Sequence, residues 1–125
     1  MSQSTRAVMG LAALAGLMSI AFGALAAHGV SDPTAQTWLR IGSNYQLAHA
    51  VAAWAGLAAM PRRRAARCAG WAFITGALIF SGTLYAMALG APRWFGAITP
   101  IGGVVMMAGW TILAWAAFRS SADSL

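Results

Sequence analysis

The chain has very few ionisable residues. Its 125 residues include eight arginines and two aspartates but neither lysine nor glutamate, and charged residues make up 8% of the total. Soluble domains carry about 25% charged residues, so this composition argues against a soluble protein. The single cysteine, Cys68, excludes an internal disulfide and a cysteine-based metal motif.

Long apolar runs take the place of the missing charges. The runs that carry no formal charge cover residues 7–27, 41–60, 68–91 and 96–118. Each has about twenty residues, which at about 1.5 Å per residue matches a hydrocarbon layer of roughly 30 Å. The sequence therefore predicts one all-α membrane domain, a four-helix bundle in the lipid bilayer.

The predicted spans cover residues 7–27, 44–60, 68–91 and 99–118. Short connections, such as the one around Pro92, predict antiparallel neighbours. The sequence predicts a separate helix over residues 33–41 on the outer membrane surface. Asp32 and Pro33 begin it, and Gly42, Ser43 and Asn44 interrupt it.

Arginine positions predict the orientation. With four spans, one side of the membrane carries Arg6, Arg119 and the loop arginines Arg62, Arg63, Arg64 and Arg67, whereas the other carries only Arg40 and Arg93. Positive residues favour the cytoplasmic side. We therefore expect both termini in the cytoplasm. No basic stripe alternates with stacking aromatics, so nucleic-acid binding is not expected.

The first apolar run has an alternative interpretation. Arg6, an apolar core and the small residues 24–26 also fit a secretory signal with a cleavage site. The uncharged run is longer than a usual signal core, which favours a retained span. Cleavage would leave three spans in the same orientation.

Small residues recur every four positions in several predicted spans, a pattern that lets helix backbones approach closely in lipid. The glycines expected at such contacts are Gly23, Gly56, Gly82, Gly102 and Gly103. Their density predicts a compact bundle that packs with itself or with a larger membrane complex.

Polar residues gather in the predicted outer half of the spans. The candidate cluster consists of His28, Tyr45, Gln46, His49, Ser81, Tyr85 and Thr99. Tyr45 and His49 share a helix face because they are four residues apart. His49 and Tyr85 lie at a similar depth, so we expect that these two side chains can meet.

This cluster has two interpretations. It can hold the helices together through hydrogen bonds worth roughly 0.6–2 kcal/mol each, or it can form a ligand or proton site, since ionisable residues at membrane depth are often functional. The first is favoured because no acidic residue lies in any predicted span. Histidine also titrates near neutral pH, which leaves pH sensing by His28 or His49 as a further possibility.

Catalytic and metal-binding sites are not expected. A Ser/His/Asp arrangement needs an acid next to a histidine, and Asp32 lies in a loop. Two histidines fall short of the three or four ligands of a zinc site. We therefore expect no enzyme activity, no metal and no cofactor.

Several sequence motifs now form a recognisable set. They read FGALAAHG over residues 22–29, YQLAHA over 45–50, FSGTLY over 80–85, ITPIGG over 98–103 and GW at 109–110. Together they resemble the YgdD-like family of small bacterial inner-membrane proteins (domain of unknown function 423), related to eukaryotic transmembrane protein 256. One departure is that Leu25 and Ala26 interrupt the usual run before His28 and Gly29. The resemblance implies a multi-span bundle but no established activity.

The expected function is therefore a structural or accessory role in the membrane. The alternative is a small-solute or lipid-binding protein, or a transporter subunit, that uses the outer-half polar residues as its pocket.

Overall fold

The computed structural model describes residues 1–123, and their side chains as far as Arg119. The described chain is all-helical and contains no strand. Its elements are α1 (Gln3–His28), α2 (Pro33–Ala59), α3 (Arg64–Ala88), a short 3₁₀ turn (Arg93–Ala97) and α4 (Thr99–Asp123). Each predicted span corresponds to one of these four long helices.

Side-chain caps begin the first two helices. Ser2 Oγ accepts a hydrogen bond from the Thr5 amide (3.1 Å), and Asp32 Oδ2 accepts one from the Ala35 amide (2.9 Å). Pro33 follows in the first turn, where the absence of its N–H costs nothing. The cap and proline predicted at the start of residues 33–41 are thus confirmed.

The predicted separation of a surface helix 33–41 from a span 44–60 is wrong. α2 runs without a break from Pro33 to Ala59. Gly42 does not end the helix because the Tyr85 ring packs against it, and a Cβ there would lie 2.6 Å from Tyr85 Cε1. Ser43 does not cap either, because its hydroxyl donates to the Ser19 carbonyl of α1 (2.8 Å).

The third helix ends earlier than predicted. α3 stops at Ala88, three residues before the expected boundary at residue 91. Gly90 follows with φ +110°, a backbone conformation that glycine adopts without a Cβ penalty. The helix therefore ends before Pro92 is reached.

Three described stretches are long and apolar enough to cross a membrane: Gln3–His28, Arg64–Ala88 and Arg93–Arg119. α2 does not reach the same apolarity because it carries Arg40, Asn44, Gln46 and His49. Gln46 and His49 are nevertheless buried against the other helices. Composition alone thus supports three spans, and two of the polar residues that lower the apolarity of α2, Gln46 and His49, lie inside the bundle.

The core lies where α1, α2 and α3 meet. Near the arginine-rich loop, Val8, Leu57 and Phe73 are almost completely buried among small alanines. A second, smaller cluster at the opposite end contains Ala26, Leu39 and Tyr85. Alanines dominate the larger cluster, so the helices approach closely there and the space between them is small.

Glycines permit a close crossing of α3 and α4. A Cβ at Gly102 would collide with the backbone of Phe80 and Gly76. Gly23 and Gly56 are also used as predicted, since a Cβ there would come within 2.9 Å of Ser43 Oγ and 3.2 Å of Leu113 Cδ2 respectively.

Two predicted packing glycines differ from expectation. A Cβ at Gly103 would make only an ordinary contact, 3.9 Å from Phe80 Cδ2. Gly82 makes no close contact within the bundle, because nothing in the described chain lies within 4 Å of a Cβ built there, so its packing role stays a prediction. The small-residue spacing gives the face of a helix but not whether a neighbour covers that face.

Candidate functional site

A buried hydrogen-bonded chain links α3, α2 and α1. The Tyr85 hydroxyl donates to Gln46 Oε1 at 2.7 Å, and Gln46 Nε2 lies 3.2 Å from Met18 Sδ. Tyr85 is 4% exposed and Gln46 3%, so water does not compete for this bond. The Tyr85 ring also stacks on Phe22 of α1, with centroids 3.8 Å apart. Three helices are therefore joined at one depth.

Two serines add bonds to helix carbonyls nearby. Ser81, completely buried on α3, donates to the Gly42 carbonyl of α2 at 2.6 Å. Ser43, next to Gly42, donates to the Ser19 carbonyl of α1. A carbonyl inside a helix keeps a second lone pair after its i+4 bond, so these contacts join helices without breaking either one.

His49 has both ring nitrogens occupied. Trp110 Nε1 of α4 lies 3.0 Å from His49 Nε2, and His49 Nδ1 lies 2.7 Å from the Tyr45 carbonyl. An indole nitrogen can only donate and a carbonyl can only accept. These partners assign the tautomer in which Nδ1 carries the proton and Nε2 accepts.

Aromatic rings surround His49. Its ring meets Phe73 edge-on (centroids 5.4 Å apart) and Trp110 edge-on (5.9 Å), and Tyr45 lies parallel at 6.2 Å. His49 is 7% exposed. An imidazole in this position is held by protein atoms on its edges and faces, which restricts access for a ligand.

A hydroxyl pair joins α3 to the beginning of α4. Thr83 Oγ1 and Thr99 Oγ1 are 2.6 Å apart, and Thr83 Oγ1 also lies 2.8 Å from the Ile79 carbonyl. Thr99 thus contributes to helix contact, although it is separate from the bonds made by Gln46 and Tyr85.

The structure brings together most of the predicted cluster but not all of it. His28 is exposed at the end of α1 and makes no hydrogen bond to the other cluster residues. Tyr45 is 48% exposed and takes part through its ring and its carbonyl. The expected meeting of His49 and Tyr85 does not occur, because Tyr85 bonds Gln46 and His49 bonds Trp110.

Sequence reasoning missed several participants. Trp110 is outside the predicted cluster, and its indole N–H is the donor to His49. Met18 and Ser43 also bond across helices, and Thr83 is the partner of Thr99 in the separate hydroxyl pair. For Trp110 a signal existed: an indole N–H inside an apolar run needs an acceptor, and His49 is one of the few side-chain acceptors in the apolar runs.

Buried polar atoms in this region all have partners. Among the described residues, no buried side-chain nitrogen or oxygen lacks a hydrogen bond. The same residues contain no group of three or more His, Cys, Asp or Glu side chains that could hold a metal ion. The cluster is therefore bonded internally.

Of the predicted loop arginines, Arg62 and Arg63 lie between α2 and α3, whereas Arg64 and Arg67 lie in the first turns of α3, so the connection is shorter than predicted. Arg63 Nη2 donates to the Ala116 carbonyl of α4 at 3.4 Å. Arg62 and Arg67 line an open groove of about 630 Å³ at the start of α1, and Arg64 is exposed outside it.

Comparison with known proteins agrees with these features. Residues 22–103 match the family described as "Protein of unknown function (DUF423)". A UPF0382 membrane protein of Haemophilus influenzae is 40% identical over 114 residues, covering 88% of this chain and 92% of that protein. The UPF0382 inner membrane protein YgdD of Escherichia coli is 34% identical over 122 residues, covering 93% and 92%.

A relative in Staphylococcus epidermidis, also named a UPF0382 membrane protein, is 36% identical over 113 residues, covering 87% of this chain and 93% of that protein. No solved structure matches. The helices, the motifs and these relatives lead to one conclusion: the chain belongs to the uncharacterised DUF423 (UPF0382) family of membrane proteins.

Proposed function

We propose that this protein is a structural or accessory component of the bacterial inner membrane, without enzyme activity of its own. The observation that supports this role is the internal bonding of the polar cluster. Four cluster residues form their side-chain hydrogen bonds with other parts of the same chain: Gln46, His49, Ser81 and Tyr85. Such residues stabilise a bundle in lipid, where an unpaired polar group is costly.

The proposed topology has four antiparallel spans, with both termini in the cytoplasm. Contacts between helix ends support it. Trp71 Nε1 donates to Ser4 Oγ (3.1 Å), which joins the starts of α1 and α3. Arg63 reaches the α4 carbonyl of Ala116. These contacts gather the arginine-rich segments at one end, as expected for the cytoplasmic side.

Inclusion of α2 as a span follows from burial. Its polar side chains lower its apolarity, but Gln46 and His49 are turned to the other helices and are 3% and 7% exposed. At the opposite end of the bundle, the Arg93 guanidinium lies 5.9 Å from the Trp38 ring, a pairing suited to the membrane–water interface.

Association with another copy or another membrane protein is the second part of the proposal. Gly82 belongs to a small-residue ladder on α3 with Ala86, and a Cβ at Gly82 would meet nothing within 4 Å in the described chain. A small residue at such a position favours close contact with another helix in lipid. Gly82 is therefore available to a neighbouring chain.

Crosslinking in native membranes, followed by sizing of the detergent-purified protein, tests this role. We expect a crosslinked complex that Gly82→Leu on α3 disrupts. The control Gly10→Leu, at an open position on α1, should leave the complex intact. A lone monomer with no crosslinked partner would contradict the proposal. Binding or transport lost in His49→Ala at unchanged stability would instead support the solute-binding alternative.

A further inference from the structure

The open groove near the arginine loop combines an apolar floor with a basic rim. Met9 of α1 and Leu57 of α2 form its floor, and Arg62 and Arg67 stand at its edge. Neither Arg62 nor Arg67 has a hydrogen-bond or ion-pair partner among residues 1–119. The groove is thus able to accept an anion next to an apolar chain.

A second groove of about 220 Å³ lies further along the same helix pair. Its lining is almost entirely apolar and includes Gly16 of α1 with Leu47, Val51 and Trp54 of α2. Trp54 stands between the two grooves, where its Nε1 donates to the Met9 carbonyl of α1 at 3.1 Å. Leu47, Val51, Trp54 and Leu57 follow one another at intervals of three or four residues, so they form one stripe on α2. The two grooves therefore lie on one seam between α1 and α2.

The α1 side of the seam has little bulk. A Cβ at Gly16 would meet nothing within 4 Å. The exposed part of the α2 stripe extends over seven residues from Trp54 to Leu47, which is about 10 Å of helix. The seam therefore offers an apolar contact that starts near the arginine rim and runs into the predicted hydrocarbon region.

We propose that the α1–α2 seam binds one anionic phospholipid. Its phosphate contacts Arg62 and Arg67, since guanidinium groups suit phosphate oxygens. One acyl chain lies along the exposed residues of the stripe, Trp54, Val51 and Leu47. The chemistry at the two ends differs, basic at the rim and apolar beyond it, and an amphiphile with an anionic head matches both. Anionic lipids gather around basic pockets at cytoplasmic helix ends.

Native mass spectrometry of the detergent-purified protein with phosphatidylglycerol or phosphatidylcholine tests this site. We expect one phosphatidylglycerol bound in preference to phosphatidylcholine. Arg62→Gln/Arg67→Gln should weaken it about tenfold or more, the effect of losing about one charged hydrogen bond. The matched control Arg64→Gln/Arg119→Gln removes the same charge from the same end and should retain the lipid.

A second pair of variants tests the apolar part separately. Gly16→Leu should fill the seam and weaken lipid binding, whereas Gly10→Leu should not, although both positions tolerate a Cβ. The proposal would be overturned if the two arginine double variants lost lipid binding equally, or if Gly16→Leu bound the lipid fully. Equal affinity for the two lipids would also overturn it. So would displacement by inorganic phosphate at concentrations that match the lipid. Binding in detergent does not depend on topology or self-association, so this result stands apart from the proposed function.

Discussion

Tyr85→Phe removes a single hydroxyl from the interior of the bundle. The phenyl ring keeps its stacking on Phe22, and only the 2.7 Å bond to Gln46 Oε1 is lost. Because Gln46 is 3% exposed, its carbonyl oxygen cannot turn to solvent. Hydrogen bonds between membrane helices are worth about 0.6 kcal/mol on average and up to about 1.7. We expect a loss near the upper end of that range.

A double-mutant cycle separates this bond from changes in packing. Gln46→Met leaves the Tyr85 hydroxyl unpaired and should also destabilise. The double variant lacks both polar groups. Its loss of unfolding free energy should therefore be smaller than the sum of the losses in the two single variants by about 0.6–1.7 kcal/mol. The assay is reversible unfolding of the detergent-solubilised protein by titration with a denaturing detergent.

Tyr45→Phe is the matched control for this cycle. It makes the same chemical change on α2, but the Tyr45 side chain is 48% exposed and its hydroxyl has no hydrogen-bond partner among the described residues. We expect an effect within about 0.5 kcal/mol. Equal effects of Tyr85→Phe and Tyr45→Phe, or additive losses in the cycle, would refute the view that the buried bond holds α2 to α3.

Three further predictions concern other parts of the bundle. Gly102→Ala should destabilise by about 1–3 kcal/mol because its Cβ collides with the α3 backbone, whereas Gly103→Ala should be nearly neutral in the same unfolding assay. Cys68 is exposed beside the arginine loop, so it should resist an impermeant thiol reagent in intact cells and react after permeabilisation. The variant that carries both Ser31→Cys and Cys68→Ser should react in intact and in permeabilised cells. The reverse pattern would contradict the topology. His49→Phe should destabilise by about 1–2 kcal/mol through the unpaired Trp110 indole, and unchanged stability would favour the solute-binding alternative.

Much of the helical architecture could be predicted from the sequence because it depends on local or additive properties. Apolar runs without charge marked four helices, and the Asp32 cap was visible in its spacing from Ala35. The continuity of α2 could not be read in the same way. Gly42 has low helix propensity, and only the Tyr85 ring, distant in sequence, explains its place inside a helix.

The candidate site was predicted in composition but not in pairing. Depth in the membrane follows from counting residues, and it predicted that His49 and Tyr85 lie at a similar height. Which side chains meet depends also on the rotation of each helix about its axis, which depth does not define. Tyr85 therefore meets Gln46, and His49 meets Trp110 of α4, whereas the predicted cluster included only Thr99 from that helix.

The tautomer of His49 gives the most direct test that the polar network is structural. His28→Gln leaves His49 as the only histidine, so its ring nitrogens can be assigned in the ¹⁵N NMR spectrum of the detergent-solubilised protein at pH 8. The bonds to Tyr45 and Trp110 predict one species with the proton on Nδ1 and an accepting Nε2. Averaged signals from two exchanging tautomers, as in an imidazole open to water or ligand, would contradict the account.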